Sequence, residues 1–188
     1  MELKTAIEKR RSYRSLDPVE ITENMVEELA QAASLAPSCF NKQPWRYVFV
    51  YKKASLDELK TALSEGNEWA REASMIIAVC SNADLDCRIK DGRDYYLFDT
   101  GMSVGIMMLK ATEIGLICHG IAGYDPARAK EVLKLPSDLE VITLLIVGVH
   151  SDKLKPFFSE YQIESEKNRP PRLPLGNFAF KNVYGGNL

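Results

Sequence analysis

"MIIAVC", residues 75–80, is apolar without a break. A short run that is apolar on both faces fits a strand with a covering layer above and below it, so a central sheet is implied. On its N-terminal side, Ser55-Leu56-Asp57-Glu58 reads as a capping box that opens a helix closed by Gly66. A β-branched and aromatic strand precedes it at Tyr47–Tyr51. Before that comes a helix capped by Thr22, with Met25, Val26, Leu29, Ala30 and Ala33 on one side and Pro37 as its stop. On the C-terminal side, Leu97, Met102, Ile106, Leu109 and Ile114 recur at helical steps over residues 95–114, with Gly101 and Gly105 four apart. The apolar arc of this helix is wide. It is either a core helix whose glycines admit a neighbouring backbone, or a helix with one arc packed on a second subunit. Asp125-Pro126 starts a further helix that ends before Pro136, and Val141–Val149 is a last buried strand. Strands that alternate with helices favour an α/β or α+β sandwich over a bundle.

A length of 188 residues suits one domain, 1–188, with residues 169–188 as an extended tail. That tail holds Pro170, Pro171 and Pro174 with Phe178, Phe180 and Tyr184. It is too stiff for a helix and too apolar to dangle, so it is expected to pack along a surface. With 46% hydrophobic and 27% charged residues the composition is that of a globular protein, and a pI near 5.8 argues against a nucleic-acid partner. Neither G-x-G-x-x-G nor a P-loop occurs. No apolar run reaches membrane-spanning or signal-peptide length. Cys39, Cys80, Cys87 and Cys118 lack paired CxxC spacing, and only His119 and His150 could complete a metal site, which speaks against a zinc centre. Cys80 and Cys118 sit in apolar runs as small hydrophobes. A reduced cytoplasmic protein without membrane contact is expected.

Two stretches point to chemistry. "EKRRSYR", residues 8–14, gathers Lys9, Arg10, Arg11 and Arg14 in a chain of formal net charge -2. Leu3, Ala6 and Ile7 before it have helical spacing, which would put the cations in the last turn of a short helix. They could then answer the helix dipole, form a solvated cluster, or bind an anion, with Arg10 and Arg11 on a phosphate and the Ser12 hydroxyl adding a hydrogen bond. "APSCFNKQPWRY", residues 36–47, has two prolines that restrict its backbone and offers Ser38, Asn41 and Gln43, neutral groups suited to a planar heterocycle.

The second stretch resembles the "PS-x-x-N-x-QPW" signature of the nitroreductase family of FMN-dependent oxidoreductases, and "RRSYR" resembles that family's "RRS-x-R". "LKATEIGLICHGIAGYD", residues 109–125, is similar to its helix, Gly-Leu turn and flavin-facing strand end, and "RPPRLPL" resembles its tail. The resemblance implies an α+β three-layer sandwich with a mixed central sheet, and a homodimer with FMN at the subunit interface. By motif position, Arg10, Arg11 and Ser12 would hold the phosphate and ribityl chain, and Arg14 the pyrimidine edge of the ring. Pro37, Ser38, Cys39 and Asn41 would come from the other subunit. Ala122 and Gly123 would present backbone N–H toward the reactive N5, while Arg172, with Arg169, would return to the phosphate. Asn67 matches a family amide that contacts the flavin. Cys39 stands where a small residue is usual, and Ala122 where some members are acidic.

The implied activity is ping-pong transfer of hydride from NADH or NADPH through flavin N5 to an acceptor such as a nitroaromatic or quinone. Alternatives are another flavin reaction, such as reductive dehalogenation or dehydrogenation, and a non-catalytic FMN-storage or sensing role. Since the cofactor carries the redox chemistry, no protein nucleophile or acid–base pair is required. His119, beside Cys118 in an apolar strand, reads as structural.

Overall fold

In chain order the computed structural model, which describes residues 1–187, contains α1 (Leu3–Lys9), β1 (Leu16–Asp17), α2 (Glu23–Ser34), β2 (Arg46–Val50), α3 (Lys53–Leu59), β3 (Met75–Ser81), α4 (Tyr95–Glu113), β4 (Ile117–Ile121), α5 (Pro126–Leu133), β5 (Glu140–His150) and α6 (Glu160–Lys167). β5 is the hub of the sheet. It pairs with β3 along one side, from Met75↔Val147 to Ser81↔Glu140, and with β4 and then β1 along the other, from Ile121↔Leu144 to Leu16↔His150. β2 completes the sheet on the outer side of β3. The α+β class and the helix-flanked sheet agree with expectation; the four strand pairings among the described residues are antiparallel, so they do not themselves supply a mixed sheet.

All of β3 is buried, and its side chains split by period two. Ile76, Ala78 and Cys80 join Leu144 and Ile146 of β5 in a core covered by α3 and α5, through residues such as Leu56, Leu59 and Ala129. Met75, Ile77 and Val79 join Leu145 and Val147 in a second core covered by α2 and α4, through Leu29, Ala33, Met107 and Ala111. A strand buried on both faces has no polar side, which is why 75–80 reads as continuously apolar.

Two helix starts follow the sequence reading. Thr22 Oγ1 accepts the Met25 N–H at 3.2 Å, and Asp125 Oδ1 accepts those of Ala127 and Arg128 at 2.9 and 3.1 Å, with Pro126 opening α5. Others are corrected. α3 begins at Lys53 with no side-chain cap, so Ser55 lies inside it, and Gly66 (φ +84°) turns the chain well after the helix has ended. Lys9 alone occupies the last turn of α1, and residues 11–14 are not helical, so the helix dipole does not explain the arginines. The buried side of α4 carries Tyr96, Asp99, Thr100, Ser103, Met107 and Ala111, whereas Leu97 and Phe98 are exposed. A Cβ on Gly101 or Gly105 would meet nothing, so neither glycine serves close approach within the chain. Tail residues Leu173, Leu175, Phe178 and Tyr184 remain exposed on this chain.

Cys80 and Cys118 are buried free thiols, which burial pushes up to about 11 and about 12. Cys39 and Cys87 are joined by a disulfide, so the reduced state expected of the cysteines is overturned at these two. Their separation of 48 residues gave no local signal. No helix among the described residues is long and apolar enough to cross a membrane.

The end of β4 is clamped from below. Leu63 bridges Tyr124, the Ser64 N–H donates to Gly123 O at 3.2 Å, and Asn67 Nδ2 donates to the same carbonyl at 2.9 Å. A Cβ on Gly123 would overlap Asn67 Nδ2. Within β4, His119 is buried, stacks on Trp69 with ring centroids 4.6 Å apart, and engages Tyr13 O through Nδ1 at 3.0 Å. Burial, aided by Arg14 and Arg10, lowers its pKa to about 4.

Two outcomes are expected. Gly123→Ala should destabilise the chain, because losing the Asn67 hydrogen bond costs on the order of 1 kcal/mol and the displaced side chain adds to that. In urea titrations Asn67→Ala and Gly123→Ala should be less than additive when combined, since they remove the same contact. In the second case, the folded chain keeps His119 neutral between about pH 6.5 and pH 4 while the unfolded chain protonates it, so stability falls as pH falls through that window. His119→Gln should flatten this dependence by about 2–3 kcal/mol, given about 1.4 kcal/mol per pH unit, in denaturation curves compared at pH 7.5 and 4.

Candidate functional site

The segment from Arg10 to Ser15 carries the chain from α1 to β1, and α6 fixes it from the side. Arg11 Nη2 donates to Ser165 O at 2.6 Å and Glu166 O at 3.2 Å, while its guanidinium lies 4.3 Å from the Tyr13 ring centre. The Arg14 N–H donates to Glu166 Oε1 at 2.6 Å. From the tail, Arg169 Nη2 donates to Glu8 O at 2.5 Å and Arg10 O at 2.9 Å. Arg10, Arg11, Arg14, Arg169 and Arg172, with Ser12, line one cleft of about 170 Å³.

Arg11 and Arg169 are held by backbone carbonyls and Arg10 by the Ser12 hydroxyl, not by acids. Among the described residues, the carboxylate ion pairs of arginine belong to Arg88, Arg93 and Arg128, and none involves the cleft. Burial, then Arg169 and Arg172, lowers the pKa of Arg10, as expected where like charges crowd at a partly dry site. An anion of high charge density would relieve this field. The cleft is smaller than the roughly 300–1,000 Å³ of a complete small-molecule pocket, so it suits the charged end of a larger ligand.

A second group adjoins the first. The Arg14 guanidinium lies 5.9 Å from the Trp69 ring centre, and Trp69 Nε1 donates to Asn67 Oδ1 at 3.2 Å. Asn67 in turn holds Gly123, which is half-buried beside an exposed Ala122. Asn67, Ala122 and Gly123 therefore come together at the end of β4, within two side chains of the arginines.

Pro37, Ser38, Cys39 and Asn41 form a third, separate group. Their loop makes a 3-10 turn with Phe40 (φ 46°), Asn41 (φ 56°) and Gln43 (φ 50°) in the left-handed region. Ser38 Oγ accepts the Gln43 N–H at 3.0 Å, Asn41 Oδ1 accepts from Gln43 Nε2 at 3.0 Å, and the Cys39 N–H donates to buried Asp99 of α4 at 2.6 Å. None of these bonds reaches the arginine cleft. Strained backbone of this kind costs about 1–3 kcal/mol per residue and persists where its surroundings enforce it, often at ligand clamps. The loop leaves Phe40 and Leu35 almost wholly exposed.

The contribution of α6 is absent from the sequence reading. Its signal was the capping box, in which Ser159 Oγ accepts the Gln162 N–H and the Ser159 N–H donates to Gln162 Oε1, at 3.3 and 2.9 Å. The helix has too few apolar residues to show a periodic stripe, and the partners of Arg11 and Arg14 in it lie more than 150 positions away.

Residues 7–74 match the sequence model of the nitroreductase family. A Thermus thermophilus protein named NADH dehydrogenase is 27% identical over 183 residues, covering 81% of this chain and 89% of that one. Among solved structures, a nitroreductase family protein from Clostridium difficile matches at 27% identity with a TM-score of 0.78, covering 97% of this chain and 99% of its own. An oxidoreductase described as containing FMN matches at the same 27% identity with a TM-score of 0.84, over 97% of this chain and 92% of that chain. The matched fold and the motifs at residues 10–14 and 37–45 agree: this chain has the fold of nitroreductase family proteins and is similar to them in sequence.

Proposed function

We propose that the protein is an FMN-dependent NAD(P)H oxidoreductase that takes hydride from NADH or NADPH and passes it to an acceptor such as a nitroaromatic or quinone. The observation that carries this reading is the cleft of five arginines with no carboxylate, leading through Trp69 and Asn67 to Gly123. Arg10, Arg11, Ser12 and Arg172 would hold the phosphate, and Arg169 keeps Arg10 in place through its carbonyl. Arg14 would face the pyrimidine edge of the ring, where a cation stabilises negative charge. Backbone N–H of Ala122 and Gly123 would lie against the ring, with Asn67 fixing their carbonyl side. Bound FMN supplies a ring that accepts and donates hydride, and the chain supplies orientation and charge. His119 is kept out of proton transfer because it is neutral, buried and bonded to Tyr13 O.

The site is shared between two copies in this reading. Exposed Leu97 and Phe98, and the open Gly101 and Gly105, make an unpartnered face on α4, and Asp99 of the same helix anchors the loop at Cys39. A C2 partner on that face would receive Pro37, Ser38, Cys39 and Asn41 beside its own arginines.

Arg10→Ala with Arg11→Ala should weaken FMN binding at least 100-fold, since charged hydrogen bonds contribute about 1.5–3 kcal/mol each; Arg88→Ala serves as the control. Unchanged affinity would remove the phosphate assignment. NADH or NADPH should bleach the bound flavin anaerobically; if neither does, a storage role replaces the enzyme reading. Refolding the double-arginine variant together with Asn41→Ala should restore part of the flavin binding, because each heterodimer holds one intact site. No recovery in verified heterodimers would confine the site to one chain.

A further inference from the structure

Cys39 and Cys87 bring two loops together, with Cα atoms 6.1 Å apart. A carboxylate oxygen of Asp86 joins the two sulfur atoms in a cluster whose ligand atoms all lie within 4.8 Å of one another. Asp86 is only 6% exposed. Its Oδ1 accepts the Cys87 N–H at 2.7 Å, while Oδ2 is buried with no hydrogen-bond partner. A disulfide offers that oxygen no proton. The charged groups that face Asp86 are Asp99 and Lys42; burial, then Asp99, raises its carboxyl above the usual range, and Lys42 opposes that rise. A charged Asp86 carboxylate is costly to bury beside Asp99, and a cation bound directly to it would offset that cost.

The dithiol state changes the chemistry. Two thiolates and one carboxylate are a donor set for a zinc-class cation, and tetrahedral Zn–S bonds of about 2.3 Å place two sulfurs roughly 3.8 Å apart. We propose that, once the disulfide is reduced, Cys39 Sγ, Cys87 Sγ and an Asp86 oxygen bind one Zn²⁺ per chain, with the fourth position open to water. The backbone orients the ligands in advance: Asp99 Oδ2 holds the Cys39 N–H, and Asp86 holds that of Cys87. Cys87 also lines an open cleft of about 280 Å³ with Arg93 and Tyr95, which provides the entry path.

The two states exclude each other. An external dithiol reduces the Cys39–Cys87 bond by thiol–disulfide exchange: two electrons and two protons reach the sulfurs, and the reductant closes to its own disulfide. Zinc then displaces the two thiol protons. In either state the loop holding Cys39 is tied to the loop holding Cys87, and the metal state satisfies Asp86. This inference does not depend on the flavin reading.

The test uses the full chain, with or without added FMN, reduced by a dithiol that is then removed without air. Titration with Zn²⁺ against a chromophoric chelator should give one metal per chain and release of two protons, and Co²⁺ should show a thiolate charge-transfer band. The oxidised chain should bind neither. Cys39→Ser and Cys87→Ser should each abolish the band, Asp86→Asn should weaken binding on the order of tenfold or more, and Cys80→Ala should change nothing. Absence of both stoichiometric zinc and the Co²⁺ band in the reduced natural chain overturns the proposal, whatever the variants do. Equal binding by the oxidised chain, or by folded Cys39→Ser, Cys87→Ser or Asp86→Asn, overturns it as well.

Discussion

The rest of the molecule depends on the pairing of β3 with β5, two strands whose facing segments are almost wholly buried on both sides. A sheet buried on both faces demands two covering layers, and the chain provides α3 with α5 on one side and α2 with α4 on the other. The free edge of β5 then takes β4 and β1 in succession. Pairing of Leu16 with His150 fixes where the arginine segment must run, because Arg10–Ser15 spans the gap between α1 and that edge. The inner face of α4 is partly polar for a related reason. Ser103 Oγ donates to Ala33 O at 2.8 Å and meets Tyr47 Oη at 2.7 Å, so the helix is pinned to α2 and β2 through buried hydrogen bonds, and burial raises the Tyr47 hydroxyl to about 12.

Charge is arranged differently at the surface and in the cleft. Lys53 with Asp57, and Arg128 with Glu131, are neutralised by neighbours on their own helices. Exposed pairs of this kind contribute little to stability. In the cleft, main-chain oxygens of Ser165 and Glu166 orient Arg11, and those of Glu8 and Arg10 orient Arg169, which directs these guanidinium groups without cancelling their charge. An acidic protein thereby keeps a local positive field, and the field is available to a ligand because no side chain consumes it.

The loop at Cys39 combines left-handed backbone, a bond to buried Asp99 and a covalent link to Cys87. Strain, burial and cross-linking act together to hold a short exposed segment still. The same segment carries an amide and a hydroxyl beside exposed Phe40, a composition suited to contact with a ligand or a second chain, not to the core of its own.

Local patterns determined much of this protein. The unbroken apolar run at 75–80, the caps Thr22 and Asp125, and the helix at 95–113 were legible because each depends on residues within a few positions. The arginine run and the Ser38–Trp45 loop were legible as motifs, and so was the nitroreductase-like fold. Tertiary structure alone decided the rest. It set Arg169 and Arg172 beside Arg10, brought Asn67 against Gly123, made α6 the support of Arg11 and Arg14, and joined Cys39 to Cys87 and Asp86. Each of these is a contact between side chains or carbonyls far apart in the chain. Such contacts leave no periodic trace in either segment, because they are selected by where the sheet edges and loops end up in space and not by the conformation of any one stretch.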